Sequence, residues 1–282
     1  MTETVGLDPG AVPLSLSYHT VPELSPPETV EVAYATGCRL VGARLLGGQP
    51  REPQPPIMTD PGVLRETLRR LRDTGISVLD ASTARLVPDT AIADYERFLE
   101  RAAELGVRHV LASGSDPDEP RLIDNVARLC DAAAAYGMTV EIEFVPWMSI
   151  ASLPIANRLV GAVGRANLGI VVDALHFSRS GGTLAELAAV PRDRFRFMQI
   201  CDAPAVWDAD PAALLNEAVK ERLFPGEGAI DLVGLLRTMP RGIPLALEIP
   251  TARLAETLDA RARVARAVAA TRRVLARAFE AG

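Results

Sequence analysis

The 282-residue chain reads as an α/β protein, a single (β/α)8 TIM barrel, and three observations point there. Eight short apolar runs rich in β-branched residues recur along it. The segments between them carry helical spacing, and several close at glycine. A single helical segment separates most neighbouring runs, which favours parallel pairing because parallel strands need a crossover. Eight such units in roughly 260 residues match a closed barrel in both number and length.

The first run is "LSLSYHTV" (14 to 21), followed by "SPPETVEVAYATGC", a helix with Ser25 as its N-cap, prolines in the first turn and Gly37 at its end. "RLVGARLL" (39 to 46) comes next, and "GGQPREPQPPIMTDPG" after it has no helical pattern and suits a rim or lid loop. "ISVLDAS" (76 to 82) precedes "DYERFLERAAELG", and "VRHVLAS" (107 to 113) precedes "RLIDNVARLCDAAAAYG", helices ending at Gly106 and Gly137. The remaining strands are "MTVEIEF" (138 to 144), "LGIVVDA" (168 to 174), "FRFMQIC" (195 to 201) and "PLALEIP" (244 to 250). Residues 254 to 280 form a long Ala/Arg-rich amphipathic helix that closes the outer ring, residues 1 to 12 read as a flexible tail, and 13 to 282 as one domain. The competing fold is an open doubly wound sheet. The first turn after residues 14 to 21 contains neither GxGxxG nor GxxxxGK[ST], which weakens its nucleotide-binding version.

Composition narrows the partners. A net charge of -6 provides no broad positive field to draw the chain onto phosphate backbones or anionic lipid, so nucleic acid is not expected. The N-terminus has no basic and apolar leader, and no apolar stretch approaches the roughly 18 residues of a membrane span. Cys38, Cys130 and Cys201 are far apart and form no CxxC, which fits reduced thiols in a cytoplasm. A homodimer is left open.

In a barrel of this kind the chemistry sits where strands finish, and four successive strands finish in oxygen donors. They are Glu143 on the fifth strand, Asp173 on the sixth, Gln199 on the seventh and Glu248 on the eighth. Glu141 lies two residues before Glu143 on the same face. Taken singly, each acid could cap a helix or meet a loop arginine. "VEIEF", "GIVVDA", "FMQIC" and "LALEI" contain no basic residue, however, and buried carboxylates are costly unless paired or bound to metal. The set therefore calls for one divalent cation. Oxygen ligands suit Mn2+ or Mg2+ best, with Co2+ or Zn2+ less favoured.

The stretches "EIEFVPW", "VVDALHF", "MQICDAP", "ERLFPGEGAIDL" and "LALEIP" resemble the xylose isomerase-like TIM-barrel superfamily, specifically its sugar phosphate isomerase/epimerase group. The resemblance runs through residues 14 to 250 and implies Glu143, Asp173 and Glu248 as metal ligands. It also implies Arg222 at the substrate oxygens and His176, in the D-x-x-H match, beside the substrate. Gln199 stands where many members have His and resembles the 3-dehydroshikimate dehydratase branch. An amide oxygen can ligate but carries no proton, which leaves the exact reaction open between isomerisation and dehydration.

A divalent ion held to a ketone and its neighbouring hydroxyl acidifies the carbon-bound proton and stabilises the enediolate that follows. In an isomerase or epimerase of a small keto-sugar or other polyhydroxy ketone, Glu143 and Glu248 would move the protons. In a dehydratase, His176 is the more natural base. Arg44 and His19 at strand ends could line the same mouth, and Trp147 could wall it. A packed barrel arginine, a structural histidine and loop packing are the plainer readings of those three. Asp202, beside Gln199, and Glu141 are expected to support the ligands from behind. His109 sits at the start of its strand and has no chemistry, and Asp80 has a weaker claim than Arg44. An apurinic endonuclease of the same superfamily needs a cluster of histidines for three zinc ions, and this chain has three histidines in all. A non-catalytic barrel is the remaining class.

Overall fold

The structure, a computed structural model, describes residues 10–47 and 53–279. Eight parallel strands close into a barrel in chain order. They are β1 (Leu14–Leu16), β2 (Leu40–Arg44), β3 (Ser77–Leu86), β4 (His109–Gly114), β5 (Thr139–Glu143), β6 (Leu168–Asp173), β7 (Met198–Ile200) and β8 (Leu245–Leu247). β8 pairs back onto β1 through Leu14 with Leu245 and Leu16 with Leu247, which removes both sheet edges.

The outer layer comprises α1 (Pro26–Thr36), α2 (Pro56–Thr59), α3 (Pro61–Thr74), α4 (Glu96–Glu104), α5 (Glu119–Ala134) and α6 (Leu153–Val163). It continues with α7 (Ala174–Arg179), α8 (Leu184–Ala189), α9 (Pro211–Lys220), α10 (Leu232–Thr238), α11 (Ala252–Ala255) and α12 (Ala260–Phe279). α1 begins as its sequence demands, with the Glu28 side chain accepting from the Ser25 backbone N–H at 2.8 Å. It stops at Gly37, whose φ of 84° only glycine adopts cheaply. Among the described residues no helix is long and apolar enough to cross a membrane.

Side-chain alternation divides the strands into two buried sets. One face of each packs against the helices, while Leu40, Leu79, Leu111, Val171, Phe197 and Ala246 form a separate apolar plug inside the barrel. Each large side chain buried there stabilises the fold by about 1.5–3 kcal/mol, and the plug divides the lumen into a lower end and a mouth.

Several boundaries differ from the sequence expectation, each for a local reason. The first strand stops at Leu16 because Ser17 Oγ accepts from the His19 N–H at 3.3 Å and starts a 3-10 turn over Tyr18–Thr20. The loop after β2 contains α2 and the start of α3, while residues 48–52 lie outside the described residues. The last helix is split, because Asp259 Oδ1 accepts from the Ala262 N–H at 2.7 Å and caps a fresh start at Ala260. Of the tail, residues 1–9 lie outside the described residues, and Val12 is buried with its carbonyl accepting from Arg272 Nη1 at 2.8 Å.

Candidate active site

At the carboxyl ends of the strands, ladder register sets two of the expected donors level. Asp173 pairs with Gln199 across β6 and β7, and Gln199 with Ala246 across β7 and β8, two residues before Glu248. Carboxylate oxygens of Glu143, Asp173 and Glu248 lie within 4.8 Å of one another. Gln199 Nε2 donates to Glu248 Oε2 at 2.6 Å, and Ser17 Oγ donates to the same oxygen at 3.2 Å. Gln199 Oε1 is left buried without a hydrogen-bond partner. Asp173 also caps α7, its Oδ1 accepting from the His176 N–H at 3.0 Å, so the plainer reading of this acid holds alongside the chemical one.

The expectation that no counter-charge meets these acids is corrected by Arg222, which the fold brings in from the segment between β7 and β8. Its Nη1 donates to Asp173 Oδ2 at 2.5 Å and its Nη2 to Glu248 Oε1 at 3.3 Å. Its Nε donates to the Ala218 carbonyl at 2.8 Å. One guanidinium thus stands against three carboxylates. Burial alone would raise the Asp173 carboxyl, but Arg222 holds it below the usual carboxylate range. Glu143 goes well above that range through burial and the charges of Glu248 and Asp173. Glu248 rises as well, through burial that Arg222 offsets only in part.

Asp202 does not touch Arg222. Its oxygens accept from the backbone N–H groups of Ala203, Gly226 and Ile230 at 2.8, 2.9 and 3.0 Å, and its own backbone bridges to Leu223. It therefore pins the "PGEG" turn and, through Leu223, the segment that carries Arg222.

His176 lies in α7 with Nε2 4.0 Å from Glu143 Oε1, edge-on to Trp147 at 5.4 Å between centroids, and its buried Nδ1 has no partner. Burial lowers its pKa, which keeps the ring neutral. On the β1 side Tyr18 lies against His19 at 4.0 Å, and the Arg44 guanidinium sits 5.8 Å over the Tyr18 ring. Burial, followed by the charges of Arg222 and Arg44, takes His19 down to about 3. Tyr18 and Ser17 carry no weight in the sequence reading. The signal that could have found them is their place immediately past the first strand.

Glu141 requires a correction. It is fully buried and accepts from Thr139 Oγ1 at 2.7 Å and from Arg196 Nη1 at 3.1 Å, with His109 Nδ1 3.5 Å away. All three partners lie at or before the starts of their strands, so Glu141 belongs to the lower end of the lumen and does not support the ligands.

The donor set fits a hard divalent cation. Three carboxylates and an unpartnered amide oxygen converge, with a single arginine for charge balance and no thiolate among them. Glu143, Asp173, Gln199 and Glu248 could hold such an ion together.

A family model described as xylose isomerase-like TIM barrel matches residues 30–274. An inosose isomerase of Bacillus velezensis is 28% identical over 151 residues, which is 50% of this chain and 52% of that protein. A 3-dehydroshikimate dehydratase of Pseudomonas aeruginosa is 29% identical over 205 residues, 67% of this chain and 32% of the relative. The chain thus spans about half the length, or less, of these two relatives. Among solved structures, the IOLI protein with a binding zinc atom superposes with a TM-score of 0.79 at 21% identity, covering 95% of this chain and 100% of that one.

Proposed function

The chain belongs to the xylose isomerase-like TIM barrel family, and on that footing we propose that it is a divalent-metal-dependent isomerase or epimerase of a small keto-sugar or related polyhydroxy ketone. The observation that carries the proposal is the convergence of Glu143, Asp173 and Glu248 beside the unpartnered oxygen of Gln199. A bound ion would supply the positive charge that acidifies the carbon next to the substrate carbonyl. Mn2+ and Mg2+ suit oxygen donors best, and the zinc in the IOLI protein adds Zn2+ to the ions worth loading.

The chain's own residues do the rest. Glu143 and Glu248, whose oxygens converge with Asp173, would take the proton from the carbon next to the carbonyl and return one, to its neighbour in an isomerase or to its other face in an epimerase. Ser17 and Gln199 fix one oxygen of Glu248 and so aim the other. Arg222 is anchored through Ala218 and Asp173, and its longer contact to Glu248 leaves Nη2 able to meet a substrate oxygen. Trp147 and the neutral His176 close one wall against water. Three buried cysteines with no disulfide among the described residues fit residence in a reducing cytoplasm.

A second reading is a dehydratase of the 3-dehydroshikimate type, favoured by Gln199 and by the dehydratase relative. There His176, with its free Nδ1, would be the base. Incubating the Mn2+-loaded protein in D2O with an inosose and with 3-dehydroshikimate separates the two. Deuterium at the carbon next to the carbonyl, without loss of water, is the expected result. An ultraviolet-absorbing dehydrated product overturns the isomerase reading.

A further inference from the structure

The β3 wall of the mouth holds a carboxyl group that the proton transfers leave unused. Asp80 stands where the β2–β3 ladder shifts register, which lets it turn inward next to the plug residue Leu79. Its oxygens lie 3.1 and 3.3 Å from the point a Cβ on Gly42 would occupy, so a side chain at position 42 would crowd the carboxyl. Asp80 is 6% exposed, its hydrogen-bond partner is Ser82 Oγ at a long 3.4 Å, and among the described residues no ion pair reaches it. It lies outside the Glu143–Asp173–Glu248 cluster. Burial and the charge of Glu248 push its carboxyl up to about 7.

A second observation comes from the adjoining strand. Ser113 of β4, two residues beyond the plug residue Leu111 and therefore on the same face, has a buried Oγ with no hydrogen-bond partner. A buried carboxyl without a counter-ion and a buried hydroxyl without a partner both cost stability. Both sit on strands roughly opposite β7 and β8 in the eight-stranded ring. Such polar groups are completed by a ligand that brings hydrogen-bond donors. A ligand carboxylate at this wall would face a second carboxyl group, with Arg222 held to Asp173 across the mouth.

Resting on the reading that this mouth takes a polyhydroxy ketone, we infer that Asp80 is a substrate-positioning group for the ring hydroxyls of an uncharged polyol, with Ser113 lining the same mouth farther along β4. The wall thereby selects neutral polyols over ring carboxylates. The carboxyl can both accept from and donate to ring hydroxyls, so deleting it should weaken polyol binding about tenfold or more.

The test uses the whole Mn2+-loaded protein, titrated by calorimetry with myo-inositol as the neutral probe and quinate as the acidic one. Asp80→Ala should lose about tenfold or more in myo-inositol affinity, and Asp80→Asn should recover part of it. Quinate should bind the wild type more weakly than myo-inositol and gain in Asp80→Ala. Mn2+ affinity should stay within about twofold, and thermal unfolding of Asp80→Asn should occur no lower than in the wild type, because a buried carboxyl without a counter-ion is removed. A purely structural Asp80 would instead lower the unfolding temperature. The inference is overturned if both variants keep wild-type myo-inositol affinity, if Mn2+ affinity falls in step, or if the wild type prefers quinate or binds neither probe. Solvent-deuterium exchange in the wild type distinguishes the failures. Exchange with unaffected variants removes the role of Asp80 alone, whereas dehydration without exchange removes the functional reading as well.

Discussion

Strand β5 places two glutamates in one lumen, and their surroundings are opposite. Glu141, at the lower end, has a hydroxyl, a guanidinium and an imidazole within 3.5 Å. Glu143, two residues on, has His176 Nε2 at 4.0 Å and shares its space with two further carboxylates. The barrel can thus supply partners for a buried acid, and at the mouth it supplies too few. A fold that satisfies one end and leaves the other in charge deficit has kept that end for something outside the chain.

The sharpest test of this division is Glu143→Gln. It should lower the deuterium-exchange rate by about 10²–10⁴-fold and weaken Mn2+ binding in calorimetry, while the metal-free protein unfolds at the same temperature or higher. Glu141→Gln should do the reverse. With Arg196 stripped of its charge partner, urea unfolding should show a loss of about 2–3 kcal/mol, and Mn2+ affinity should stay within about twofold. If Glu141→Gln cost activity without stability, the two ends would not be separate. Gln199→Ala is the gentler probe, removing one amide oxygen and the bond that orients Glu248, and Mn2+ affinity measured by competition with a chelator should fall about 10- to 100-fold.

The eight strands were legible because each is a short apolar run bounded by polar loops. The four mouth donors were legible because they end such runs. What sequence could not convey is depth and long-range pairing. Period-two arithmetic correctly puts Glu141 and Glu143 on one face, yet one step of two residues along a strand crosses from the lower end to the mouth. Arg222 meets Asp173 across 49 residues of sequence, and only barrel closure brings the segment after β7 back over β6. Asp80 turns inward because of a ladder shift that the string "ISVLDAS" does not announce. The short helix α2 lies in the stretch read as a rim or lid loop, since four residues carry too little periodicity to be seen.

Helix α7 has one more consequence. The chain has two tryptophans, and both rest on this six-residue helix: Trp147 against His176, and Trp207 beneath the Arg179 guanidinium at 5.1 Å. Its first turn is tied to Asp173. The ultraviolet emission of the protein should therefore shift when an ion binds at the carboxylate that faces the mouth, and a fluorescence titration with Mn2+ checks it.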